Sequence, residues 1–344
     1  MSAIKLSLYA LLFALLTACA APPPPVQVQI PDHPVDYLLE VKPLLDKRCV
    51  VCHSCYNSPC QLKLSSYEGL DRGASKKAVY NGKRLQTMDP TRLFFDARTT
   101  EEWRNKEFYT VTENTAEAGL NNSILLQLLA HKIEHPESSG EYQPEAEDLT
   151  CAENGNELGG YLDKHPNRGM PFGFPPLKKE EFALIAGWLA QGGKGPTPEQ
   201  QQQLIAPKSE DQVQIERWEA FLNTADPKHR MTSRYLYEHY FLAHIKFETD
   251  TNEYYELVRS RTPSGQPIDL IATVRPYDDP ETDVFFYRFR KIHSTIVHKT
   301  HMVAHFDSWM LARFKELFIT PKWLQEPHLV GYEAKLSANP FIAF

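Results

Sequence analysis

No stretch of this 344-residue chain constrains it more than Cys49-Val50-Val51-Cys52-His53. Two cysteines three residues apart, followed at once by a histidine, are what covalent attachment of a c-type haem requires. On one helical turn two thiols reach the two vinyl groups, and the next imidazole faces the iron. A chain that carries haem c this way must wrap a large apolar ring, provide for a sixth iron position, and leave the cytoplasm, because the haem is attached after export. A competing reading takes Cys49, Cys52, Cys55 and Cys60 as four zinc ligands, since CxxC pairs also open zinc sites. Structural zinc sites place their second ligand pair a loop away, whereas these four thiols fall within a dozen residues. One haem c held by Cys49, Cys52 and His53, with His53 as an axial iron ligand, is the expectation.

The N-terminus supplies the export signal. Lys5 precedes an apolar run from Leu6 to Leu16 and small residues that end at Cys19, so residues 1–18 read as a signal peptide. The run is too short to span a bilayer. Leu16-Thr17-Ala18-Cys19 resembles a lipoprotein box in which Cys19 becomes the lipidated first residue; ordinary cleavage near Ala18 to Ala21 is the alternative. Both place the mature chain in the periplasm, and the first anchors it to a membrane surface. Pro22 to Pro25 form a stiff spacer, so residues 19–35 read as a Pro-rich tether. Apart from Cys19 and the two haem thiols, Cys55, Cys60 and Cys151 remain. In an oxidising compartment two of these three can pair and one is left over.

Downstream, Pro43 suits the first turn of a short helix, Leu44 to Arg48, that delivers Cys49. Asn121-Asn122-Ser123 caps a second helix at Ile124 to Leu129. Arg168-Gly169-Met170-Pro171-Phe172-Gly173-Phe174 then presents a methionine on a Gly/Pro-rich loop, and a thioether is a soft ligand suited to haem iron. Met170 is therefore the expected second axial ligand; a packed core methionine is the alternative. A helix follows with Phe182, Leu184, Ile185, Trp188 and Leu189 on one face, ended by Gly192-Gly193. Residues 36–196 thus read as a mainly α haem domain whose insertion, about 75–165, separates His53 from Met170.

Gly192 to Pro198 read as a linker. Residues 197–344 then begin with polar helix over 199–223 and an aromatic helix over Arg230 to Phe247. Strand patterns follow at 254–259, 270–274 and 284–289, with a last helix at 308–318. His293, His298, His301 and His305 form one dense group. If 298–305 were helical, three of them would share a face at loose metal-ligand spacing; solvent-facing or hydrogen-bonding histidines are the alternative. Beside a haem, His298 and His301 are candidate pocket residues for a carboxylate or for proton transfer. A net charge of −7 gives no basic field and excludes nucleic acid as a partner. Neither a GxGxxG fingerprint with its acidic partner nor a Walker loop occurs, so nucleotide chemistry is not indicated.

Residues 36–196 resemble a cytochrome c domain, with a helix leading into CxxCH, a later Met-Pro loop and a closing helix. The expected fold is a mainly α cytochrome c-like haem domain with a long insertion, followed by an α+β domain. The strings RCVVCHSCYNSPCQLKLSSYEGLDRGASK, RGMPFGFPPL, SRYLYEHYFLAHIKF, RTPSGQPIDLIATVRPYDDP and IVHKTHM are similar to those of the bacterial fatty acid cis/trans isomerase family. That resemblance implies a periplasmic haem c enzyme of the membrane stress response that turns cis unsaturated acyl chains into trans ones. Its partner would be an unsaturated fatty acid or a phospholipid acyl chain. It also implies a longer chain, so that 197–344 is expected to be a partial domain whose missing C-terminal half, or a redox partner, is supplied elsewhere. Rotation about a C=C bond requires the π bond to be weakened, and ferric haem can do this by transient electron withdrawal with no net redox change. A periplasmic electron-transfer cytochrome without isomerase activity is the alternative.

Overall fold

Asp36 opens the first ordered element by accepting the Leu39 amide proton at 2.9 Å. A single π turn, Tyr37–Val41, runs directly into α1, Lys42–Arg48, with Pro43 in its first turn where a missing N–H costs nothing. This computed structural model describes residues 29–56, 58–77, 89–113, 120–136, 151–152, 155–326, 328–333 and 337–339. The signal segment, Cys19 and most of the tether lie outside them. Described residues up to 77 and from 99 to 195 form one unit; 89–98 and those from 196 onward form the other.

The first unit is helical. Ser66 caps α2 (Tyr67–Arg72), and Thr99 with Glu102 forms a reciprocal capping box on α3 (Thr100–Asn105). Ser123 accepts the Leu126 amide to start α4 (Ile124–Glu134), as the sequence predicts, and α5 follows at Gly155–Lys164. In α6, Lys179–Ala190, Phe182, Ile185, Ala186, Trp188 and Leu189 are buried. The helix ends where Gly192 and Gly193 take positive φ values of 93° and 57°. Their N–H groups then reach the carbonyls of Leu189 and Trp188 at 2.9 Å. Trp188 packs on Tyr37 at 5.8 Å between ring centroids, and Tyr37 on Tyr67 at 5.3 Å. The helix that carries Cys49 and the closing helix thereby share one core.

The second unit combines helices with a five-stranded mixed sheet. The polar helix expected over 199–223 is two, α7 (Pro198–Ile205) and α8 (Ser209–Leu222). Pro207 separates them, because the residue before a proline is driven out of the α region and Ala206 is extended. The helix expected to run to Phe247 also stops early. α9 is Pro227–Tyr240, and His244–Phe247 is strand β1 with alternating burial. β2 (Tyr254–Ser260), β3 (Leu270–Ile271), β4 (Phe286–Ile292) and β5 (Val303–Phe306) complete the sheet. β4 runs antiparallel to the whole of β2, while β1 lies parallel to β5 with His244 opposite Val303. Helix α10, Ser308–Phe314, runs on into a π turn, Lys315–Ile319. Trp218, Leu236, Ile245, Tyr255, Phe289 and Phe306 form the centre of the core. Among the described residues no helix is long and apolar enough to cross a membrane.

Candidate functional site

Cys49 caps the C-terminal end of α1, its amide held by the Leu45 carbonyl at 2.8 Å. The Cys49 carbonyl accepts the amides of both Cys52 (3.2 Å) and His53 (3.0 Å), so the three motif residues close on a single turn. Both thiols are unpaired; Cys49 is half-buried and Cys52 exposed. Burial pushes the Cys49 thiol up to about 12. The imidazole of His53 is buried, and its Nδ1 donates to the Leu62 carbonyl at 3.0 Å. Such a bond fixes the tautomer and leaves Nε2 as the lone-pair nitrogen. Burial pushes the His53 pKa down, which keeps the ring neutral as an iron ligand must be. Two unpaired thiols beside a neutral, oriented imidazole with an unprotonated Nε2 fit the requirements of haem c.

Met170 is half-buried on the loop between α5 and α6, and its amide donates to the Leu128 carbonyl at 2.9 Å. Gly169 makes this approach possible, since a Cβ there would lie 2.8 Å from the Lys132 backbone nitrogen. The same loop is fastened to the CxxCH turn by the residue preceding Cys49. Arg48 Nη2 donates to the carbonyls of Pro175 (2.8 Å) and Pro176 (2.7 Å), and Arg48 Nε lies 3.6 Å from Glu181. Lys47 reaches Glu181 at 3.2 Å. Sequence reasoning passes over Arg48, because a cation in the last turn of a helix is routine.

Of the three remaining cysteines, Cys60 and Cys151 form a disulfide with Cα atoms 6.2 Å apart, and Cys55 is free. That removes the fourth thiolate from the zinc reading. Among the described residues no three His, Cys, Asp or Glu side chains gather as a metal-ion site.

The C-terminal histidines do not share a helical face. Residues 297–300 turn, with the Thr300 amide on the Val297 carbonyl, and β5 follows. His298 bonds to the Tyr254 hydroxyl at 2.7 Å, and His301 Nδ1 lies 2.9 Å from the Val297 carbonyl with its ring against His244. His305 is exposed on β5, and His293 packs on Phe94. His298 and His301 thus belong to the second unit, whereas Cys49, Cys52, His53 and Met170 belong to the first.

The family model for fatty acid cis/trans isomerases matches residues 88–344. The chain belongs to the fatty acid cis/trans isomerase family. The isomerase is therefore an enzyme acting on the C=C bond of fatty acids. Met170 and all the described residues of the second unit lie inside the match, and Cys49, Cys52 and His53 precede it. No curated protein and no solved structure matches the isomerase.

Proposed function

We propose that the isomerase works as an exported haem c enzyme that converts cis unsaturated acyl chains to trans in the bacterial envelope. The observation that carries this reading is His53, whose imidazole is buried, neutral and oriented by the Leu62 carbonyl directly after the two unpaired cysteines. In this reading Cys49 and Cys52 hold the haem as thioethers and His53 Nε2 ligates its iron. Met170 would offer its thioether sulfur to the same iron, from a loop that Arg48 and Leu128 hold in place. Haem c, when attached there, supplies an electron-withdrawing ferric centre that lowers the order of the C=C bond enough for rotation, with no net oxidation. The chain contributes orientation of that centre, with His53 buried and Cys49 half-buried while Cys52 stays exposed. The Cys60–Cys151 disulfide supports an oxidising compartment, consistent with periplasmic residence and with anchoring through a lipidated Cys19.

The test uses the mature chain with its haem content measured, incubated with cis-palmitoleate in the absence of reductant, with products resolved by gas chromatography. Accumulation of the trans acid is the expected result. A fully haem-loaded protein that exchanges electrons with a redox partner yet forms no trans acid would establish the electron carrier instead. Met170→Ala is expected to abolish the spectral signature of methionine ligation, and an unchanged spectrum would remove Met170 from the iron.

A further inference from the structure

Arginine keeps its charge at any working pH and carries five N–H donors, so each buried guanidinium must find acceptors or a counter-ion. The second unit treats its buried arginines in two ways. Arg288 is fully provided for. Its Nε donates to both carboxylate oxygens of Glu219 at 2.9 Å, and its two terminal nitrogens donate to the carbonyls of Thr262, Pro263 and Gln266.

Arg259, on β2, is 1% exposed and is not. Its Nη2 donates to Thr273 Oγ1 and to the Asp278 carbonyl, both at 2.9 Å, while Nε and Nη1 are buried with no hydrogen-bond partner among the described residues. The Asp278 carboxylate is occupied by Arg275. Arg234, on α9, pairs with Glu238 at 2.8 Å and donates through Nη1 to the Val330 carbonyl, which leaves its buried Nη2 unpartnered. Both guanidiniums lie against one ring, Tyr332, at 4.5 Å and 5.6 Å from its centroid. Tyr237, whose ring lies 5.1 Å from the Arg259 guanidinium and whose hydroxyl also hydrogen-bonds that side chain, and Phe285, at 5.7 Å, add aromatic walls. Tyr287 is buried nearby, and burial pushes its phenol well up.

The cluster therefore holds two cations and one carboxylate, Glu238, in an aromatic setting, with three N–H-bearing nitrogens unpartnered. A single planar monoanion answers all of this, because guanidinium forks match carboxylate geometry. We propose that Arg259 and Arg234 bind the free carboxylate of a fatty acid, beneath a cover formed by residues 328–333. That segment has neither helix nor strand; its Val330 carbonyl accepts from Arg234, and its Tyr332 ring lies against both arginines. Displacing Val330 frees a further Arg234 nitrogen for the ligand. The aromatic rings suit the first methylenes of an acyl chain, whereas a phospholipid headgroup would carry its glycerol and second chain against the same cover. The proposal rests on the acyl-chain reading of the substrate and narrows it to the free acid.

Calorimetric binding of palmitate to the haem-loaded protein tests this apart from turnover, because a saturated chain cannot be isomerised. Palmitate is expected to bind at least tenfold more tightly than methyl palmitate. Arg259→Met should erase that preference, Arg259→Lys should restore part of it, and inorganic phosphate at equal ionic strength should not displace palmitate. Equal binding of acid and ester to the wild type overturns the site without need of any variant, as does an Arg259→Met protein that still prefers the acid. Displacement by phosphate would also overturn it, marking a general anion site. Formation of trans product from cis acid in the same preparation reports separately on the proposed function.

Discussion

Two stretches of this protein are dense in metal-ligating side chains, residues 49–60 and residues 293–305, and they fold to different ends. In the first, the Cys49 carbonyl gathers the amides of Cys52 and His53 onto one turn, and the Leu62 carbonyl fixes which imidazole nitrogen is left for a ligand. In the second, a turn gives way to strand β5, whose parallel pairing with β1 sets His305 apart from His298 and His301. His301 is engaged by the Val297 carbonyl within its own turn, and His298 by the Tyr254 hydroxyl on β2. Ligand spacing becomes ligand geometry only where the backbone closes on itself within a turn; in a chain that extends, the same residue types satisfy their neighbours instead.

The comparison can be broken at several points. Replacing Cys60 and Cys151 together by serine releases a crosslink spanning 91 residues and should cost about 4–5 kcal/mol by chain entropy, read as a lowered urea midpoint. A reduced wild type should shift equally, and an unmoved midpoint would mean that the first stretch does not depend on its staple. His53→Ala should lower trans-acid formation by at least about 100-fold, roughly 2.7 kcal/mol of barrier. Gly169→Ala pushes a methyl against the Lys132 backbone and should cost about 1–3 kcal/mol in a thermal melt, together with the spectral signature of Met170 ligation. The smallest effect is expected at the second stretch. His298→Ala and His301→Ala should each hold activity within about twofold, roughly 0.4 kcal/mol. An His301 variant as damaged as the His53 variant would reverse the contrast.

Local signals were legible in the sequence where they rest on one or two residues. Ser123 starts α4, and Gly192 and Gly193 end α6, whereas the break that Pro207 makes between α7 and α8 was passed over in favour of one helix. β1 was not legible, because the aromatic run through Tyr240 and Phe241 suits a helix and the turn before His244 carries neither glycine nor proline. Its parallel partner β5 lies more than fifty residues away, a pairing that no local pattern encodes. The cysteine pairing stayed open for the same reason, since three thiols allow three pairs and only the fold selects Cys60 with Cys151. At the candidate site, the haem motif and Met170 stand out in the sequence by residue type. The Leu62 carbonyl and Arg48 do not, because a backbone acceptor has no side-chain signature and a terminal arginine looks like solvated charge. Arg259 is hidden likewise, as a charged residue within a strand gives no hint that it will be buried.

The Arg48 clamp joins residues 127 and 128 positions apart in the chain. Synthesis runs from the N-terminus at about 5–20 residues per second, so Cys49, Cys52 and His53 emerge roughly 6–25 s before the carbonyls that Arg48 will hold. During that interval the Met170 loop cannot be in place. Arg48 therefore spends that interval without its Pro175 and Pro176 partners, and the clamp closes only when the Met170 loop and α6 complete the first unit.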